Sequence, residues 1–184
     1  MKKIVYSILL VFISVIMVGC STQSKSKSNK TASSRSSKTS APTQISDASF
    51  KNGLFTIENI TFDLNKFKTG PSATEGKDVI IQYFTVTNHG SKKIMPSDLW
   101  YKYVVATQNI NGRNKKLEKG SLPFSTAATK DNNLENASVS EMKPHDQIDS
   151  LGSWQMISST ADVELTFYDQ NHKQVGTRNL NVNN

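Results

Sequence analysis

From Phe50 onward, apolar and polar residues alternate with a period of two. Ile60, Phe62 and Leu64 alternate with Thr61, Asp63 and Asn65, and Val163, Leu165 and Phe167 alternate with Glu164, Thr166 and Tyr168. Each run predicts a strand with one buried face. Asp78–Asn88 (DVIIQYFTVTN) is apolar on both faces and rich in β-branched and aromatic types, which predicts a central strand covered on both sides. Leu99, Tyr101, Tyr103 and Val105 share one face of a further expected strand, with Trp100 and Lys102 on the other. Leu180 and Val182 close a last one, and weaker candidates are Leu54–Glu58 and a stretch between Met142 and Ile157. Asn52-Gly53, His89-Gly90 and Asn111-Gly112 are hairpin-type turn signals, and Asp169–His172 falls where two strands must be joined. No window carries a long 3.6-residue apolar stripe. About seven short strands predict an all-β fold, an antiparallel immunoglobulin-like β-sandwich over residues 46–184, with a partly open barrel as the alternative. Asn109–Ser138 has few apolar residues and is too long for a structureless connection. A hairpin at Asn111-Gly112 and a helical turn near Ala127–Asn136 would account for part of it.

The first residues follow another rule. Met1-Lys2-Lys3 is basic, and Ile4–Val18 is a run of fifteen mostly apolar residues broken only by Ser7 and Ser14. That is shorter than the ~20 residues of a spanning helix and matches a secretory signal. It runs into Met17-Val18-Gly19-Cys20, and Cys20 is the chain's single cysteine. The pattern resembles the bacterial lipobox, which implies diacylglyceryl transfer to the Cys20 thiol, removal of residues 1–19 and a lipidated mature N-terminus. A thiolate is nucleophilic enough for that thioether to form near neutral pH. Two or more acyl chains anchor stably where one holds marginally. The expected location is therefore extracytoplasmic, on the outer face of a bacterial cell membrane.

Residues 20–45 read as a disordered tether. Ser21–Ser40 holds nine Ser and three Thr with Lys25, Lys27, Lys30, Arg35 and Lys38 interleaved, too little apolar surface to offset chain entropy. As a coil, Ser21–Ile45 spans ~25–30 Å, and its cations gain up to ~1 kcal/mol each beside an anionic bilayer.

Charge then narrows the function. The net charge is +7, but residues 1–45 hold seven Lys/Arg and no acid, whereas residues 46–184 hold fifteen of each sign. The domain has no electrostatic footprint for nucleic acid. Ser140-x-x-Lys143 and Lys68-Thr69-Gly70 look like penicillin-enzyme motifs, but the order is reversed, Ser97-Asp98 is followed by Leu99 instead of Asn, and Ser140–Lys143 is not in a helical pattern. His89, His145 and His172 are scattered over turns, and no metal-ligand spacing or cofactor motif is present. His145-Asp146 with Asp149 is the one local cluster of histidine and carboxylates. Trp100, Tyr101, Tyr103, Tyr83 and Phe84 read as core, with Trp100 and Tyr168 as candidates for an outward aromatic platform.

Phe50–Gly53, the strand Ile81–Asn88 ending in Thr-Asn, Pro96–Trp100, Tyr103–Asn109 ending in Gln-Asn, Lys143-Pro144 and Val163–Tyr168 together resemble a family. It comprises small extracellular lipoprotein domains of Gram-positive bacteria, labelled as a domain of unknown function. The resemblance implies an immunoglobulin-like sandwich and brings no activity or catalytic residue with it. In that family Gly usually follows Lys-Pro, where this chain has His145. The expectation is a surface lipoprotein, held at the membrane through diacylglyceryl-Cys20, whose domain is a non-enzymatic binding module for an envelope protein or polysaccharide. The competing expectation is a cell-wall hydrolase or a modulator of envelope enzymes, which would show titratable groups converging in one pocket.

Overall fold

The computed structural model describes residues 48–124 and 129–183. The expected signal segment, Cys20 and the expected tether lie outside the described residues. Nine strands and two short helices follow in the order β1 (Ser49–Lys51), β2 (Leu54–Ile57), β3 (Ile60–Pro71), β4 (Asp78–Asn88), α1 (Pro96–Tyr103), β5 (Val104–Ile110), β6 (Arg113–Lys116), α2 (Thr129–Ser138), β7 (Gln147–Gln155), β8 (Val163–Tyr168) and β9 (Gln174–Leu180). They form two antiparallel sheets, β1-β2-β3-β4-β7 and β6-β5-β8-β9. The strands β3-β4-β7 and β6-β5-β8-β9 stand in the A-B-E and C′-C-F-G order of an immunoglobulin sandwich, and β1 and β2 extend the first sheet.

The count exceeds seven because β1 and β6 carry almost no apolar signal. Two-residue turns make them: Asn52-Gly53 and Asn111-Gly112 both take left-handed backbone angles, so each returns the chain directly onto its neighbour. All four residues of β6 are exposed, and Arg113, Lys115 and Lys116 are cations on that edge strand. Charge of this kind discourages pairing with another chain. Glu58-Asn59 makes a third such turn without glycine, with φ of 49° and 64°. Its carboxylate accepts from the Tyr103 hydroxyl and from Lys102 Nζ at 3.2 Å, tying this turn to α1. The last strand starts earlier than the Leu180/Val182 pattern implied and ends at Leu180.

Residues 96–103 correct the expected strand at Leu99–Val105: they form α1, and β5 begins only at Val104. Leu99 and Tyr103 are four apart, a spacing that satisfies two residues per repeat and 3.6 almost equally. Pro at the first helical position, Asp98 in the first turn and Lys102 in the last favour the helix. Pro96, Leu99, Trp100 and Tyr103 then face the core. The platform expected at Trp100 is thereby overturned, since its indole is fully buried. Tyr168 is half-buried.

Between the sheets lies one core. Trp100 is at its centre, with ring centroids 4.4 Å from Phe84, 5.3 Å from Phe62 and 5.9 Å from Trp154. Burying each such side chain contributes about 1.5–3 kcal/mol or more. A second, smaller core lies on the outer face of the first sheet, where Val79, Ile81 and Leu151 are covered by Tyr83, Leu122 and Leu134. This explains why Asp78–Asn88 is apolar on both faces. The cover comes from the segment expected to be a poor fit. Residues 118–120 pair with the free edge of β7 through Gln155 N–H to Glu118 O and Gly120 N–H to Ser153 O, both 2.9 Å, and α2 packs beside them.

Two buried amides fix the loops that join these layers. Asn88 donates to Lys92 O and Lys143 O and accepts from Gly90 N–H, so one side chain holds the exit of β4 and the Lys143-Pro144-His145 turn. Gln108 binds four backbone groups of residues 157–161. His145 has φ of 64°, so it adopts the left-handed conformation that glycine takes most readily.

Candidate functional site

A cleft of about 850 Å³ opens on the outer face of the first sheet between β3, β4 and α2. It exists because β3 does not run straight. A bulge between Leu64 and Phe67 shifts the register against β4, and bulges re-aim side chains. Gln82 Nε2 donates to Asn65 O at 3.0 Å and to Lys66 O at 3.3 Å, while Arg178 from β9 donates to Leu64 O and Asn65 O. With its carbonyls held in this way, the bulge presents Lys66 and Lys68 to the cleft, while Phe67 packs against the inner core. Across from them, α2 supplies Lys130, Asp131 and Leu134.

One carboxylate joins the two walls. Asp131 accepts from the Tyr83 hydroxyl at 2.7 Å and from Lys68 Nζ at 2.5 Å. Burial alone would raise the Asp131 pKa, but the bonds from Lys68 and Tyr83 outweigh it and hold the carboxyl below its ordinary value. The bond to Asp131 raises the Lys68 pKa, and burial followed by the same carboxylate raises that of Tyr83. Next to this cluster, Asn65 Nδ2 donates to Thr85 Oγ1 at 3.4 Å, and Thr85 Oγ1 donates to Asp149 Oδ1 at 2.7 Å.

This polar link joins Leu134, packed on the outer apolar cluster, and the Ser150 Oγ to Leu134 O bond in fastening α2, of whose residues Ser138 alone is fully buried. Asp131 contributes fully above an ordinary pKa of about 3.9, and the contribution is lost as pH falls through its lower folded value. Lys68 contributes fully below about 10.4 and loses its part as pH rises through its raised value. Attachment of α2 should therefore be flat between these limits and weaken in acid. Asp131→Asn should reproduce the acid state at neutral pH, speeding amide exchange in α2 while costing only about 0.5–1 kcal/mol locally, since Lys68 is half exposed. Unchanged exchange in α2 would show that apolar contacts hold it instead.

The motifs read from the sequence come apart in space and role. Ser140 Oγ donates to Asn136 O just beyond α2, and Lys143 N–H donates to Asp146 Oδ2 in a turn, so Ser140 and Lys143 do not share a helix. Lys68 is on β3 and committed to Asp131. Within the His145-Asp146-Asp149 cluster, His145 donates its N–H to Asn88 O, Asp146 caps the turn and Asp149 accepts from Thr85. His89 Nε2 meets Thr61 Oγ1 at 3.1 Å, and His172 closes the Asp169 turn. Among the described residues no three or more His, Cys, Asp and Glu side chains group as metal ligands, and no helix is long and apolar enough to cross a membrane. Sequence reasoning missed Asp131 and Tyr83 as partners. They are forty-eight residues apart, and no local spacing joins them.

A family model described as a domain of unknown function (DUF5067) matches residues 35–169. Among solved structures, a Staphylococcus aureus protein described as a "putative lipoprotein" superposes with a TM-score of 0.65 at 16% identity, over 74% of this chain and 93% of that one. A protein from Enterococcus faecalis does so with a TM-score of 0.58 at 14% identity, over 72% and 92%. At these identities the likeness is one of fold. No curated protein matches the chain significantly.

Proposed function

Because this chain belongs to the family described as a domain of unknown function (DUF5067), we propose its role from the molecule itself. It is a lipid-anchored protein on the outer face of a bacterial cell membrane, and its sandwich domain is a non-enzymatic binding module for an envelope component. The observation that carries the non-enzymatic part is the state of the Lys68–Tyr83–Asp131 cluster. General acid–base catalysis works best with a pKa near the operating pH. Here the lysine and the phenol are shifted up and the carboxyl is shifted down, so all three move away from neutrality. Each is also spent on another member of the cluster, which leaves none as a free base or nucleophile. What the cleft offers is shape, fixed polar groups and charge.

The anchor rests on the lipobox-like Met17–Cys20 and agrees with the description carried by the Staphylococcus neighbour. Cys20→Ser in the producing bacterium should abolish incorporation of a fatty-acid analogue and leave unprocessed precursor or shed protein in place of a detergent-requiring form. Undiminished labelling of the variant would refute the anchor.

A further inference from the structure

We propose that the cleft beside α2 binds an anion-bearing polyol, that is, a saccharide or polyol chain carrying carboxylate or phosphate groups. This deepens the binding-module reading and rests on it. The first observation is exposed positive charge. Lys66 on β3 and Lys130 on α2 line opposite walls of the cleft, both are exposed, and neither forms a salt bridge among the described residues. Lys68, between them, has its charge answered by Asp131. Two exposed ammonium groups outside any salt bridge, across a gap, suit an extended ligand with acidic groups along it.

The second observation is size. A cleft of about 850 Å³ falls in the upper part of the ~300–1,000 Å³ range of small-molecule sites and exceeds what a lone anion requires. The third is the polar lining. In the Asn65–Thr85–Asp149 chain the threonine hydrogen is spent on Asp149, so Asn65 Oδ1 and the second oxygen of Asp149 remain as acceptors. Acceptors call for donors, and a ligand made only of anionic oxygens would be repelled by Asp149. A ligand with hydroxyl groups beside its acidic groups satisfies both. Tyr83 and Leu134 give an apolar lining against which the C–H face of a sugar ring packs.

Carboxylate and phosphate bring the same chemistry to the lysines, and the test separates them. The full chain, purified in detergent, is titrated calorimetrically with short oligogalacturonate, a polyol-phosphate oligomer, neutral malto-oligosaccharide and polyglutamate. Binding of at least one acidic polyol, with the neutral sugar much weaker, is expected. Lys66→Gln with Lys130→Gln should lower that affinity about tenfold or more without changing the melting temperature. The ligand class is overturned if neither acidic polyol binds, if the neutral sugar binds equally, if polyglutamate binds more tightly, or if the lysine variant keeps full affinity. In the polyglutamate and neutral-sugar cases the binding-module reading stands. Turnover of any probe overturns that reading instead.

Discussion

Gln108→Leu should destabilise the domain by about 3–5 kcal/mol, a large share of the ~5–15 kcal/mol that holds a typical domain. The Gln108 amide is fully buried at the end of β5. Its Nε2 donates to Ser158 O at 2.8 Å and Ala161 O at 2.7 Å, and its Oε1 accepts from Ile157 N–H at 2.8 Å and Ser158 N–H at 3.1 Å. Leucine fills nearly the same volume but leaves all four backbone groups without this partner. An unsatisfied buried group costs about 1–3 kcal/mol, and partial rehydration of the loop keeps the sum below four full penalties. Gln108→Glu separates hydrogen bonding from packing. It keeps both acceptor contacts but turns a carboxylate oxygen toward Ser158 O and Ala161 O, so the acid is favoured in its neutral form and its folded pKa rises. The Glu variant should therefore regain stability as pH falls, and the Leu variant should not. Urea unfolding at two pH values measures both. A Leu variant within ~1 kcal/mol of the parent would mean that residues 157–161 find other partners.

Gly152→Ala should be comparably damaging for the opposite reason, excess volume. An added Cβ at Gly152 would lie 2.6 Å from Trp100 Cδ1 and closer still to Nε1. The indole cannot retreat, because Phe62, Phe84 and Trp154 surround it and the interior is close-packed. One methyl group inserted into such a core costs about 1–3 kcal/mol and, where a large ring must move, more. The same closeness accompanies an indole N–H that has no hydrogen-bond partner among the described residues. Trp100→Phe removes that donor along with ring volume, so the double variant should lose less than the two single losses combined. Strict additivity in urea unfolding would show that Gly152 is needed for its backbone and not to admit the indole.

These two residues illustrate what was legible beforehand. Alternation at Ile60–Leu64 and Val163–Phe167 was enough for the sandwich, because a half-buried strand needs little else to declare itself. Double-sided burial of Asp78–Asn88 was legible too, though what lay on its outer face was not. Among the described residues of Asn109–Ser138, Leu122 and Leu134 cover that face, too sparse a pattern to register as core. Residues 96–103 misled because apolar positions four apart fit a strand and a helix alike. The motif residues Asn88, Gln108 and Trp100 carried the family resemblance, and their roles prove to be loop fastening and core filling. The cleft was least legible of all. Lys68 and Asp131 are sixty-three residues apart and meet only through the β3 bulge and the placement of α2.

The account turns on whether the cleft binds without reacting. The most direct measurement incubates the full chain with fractionated envelope polymer, follows the protein's amide shifts and analyses the polymer for new ends. Shifts concentrated at Lys66, Lys68, Tyr83 and Lys130, reversible on dilution and with the polymer unchanged, are the predicted result. Accumulation of cleaved polymer, abolished by Asp131→Asn, would contradict it and make the cleft that of a hydrolase.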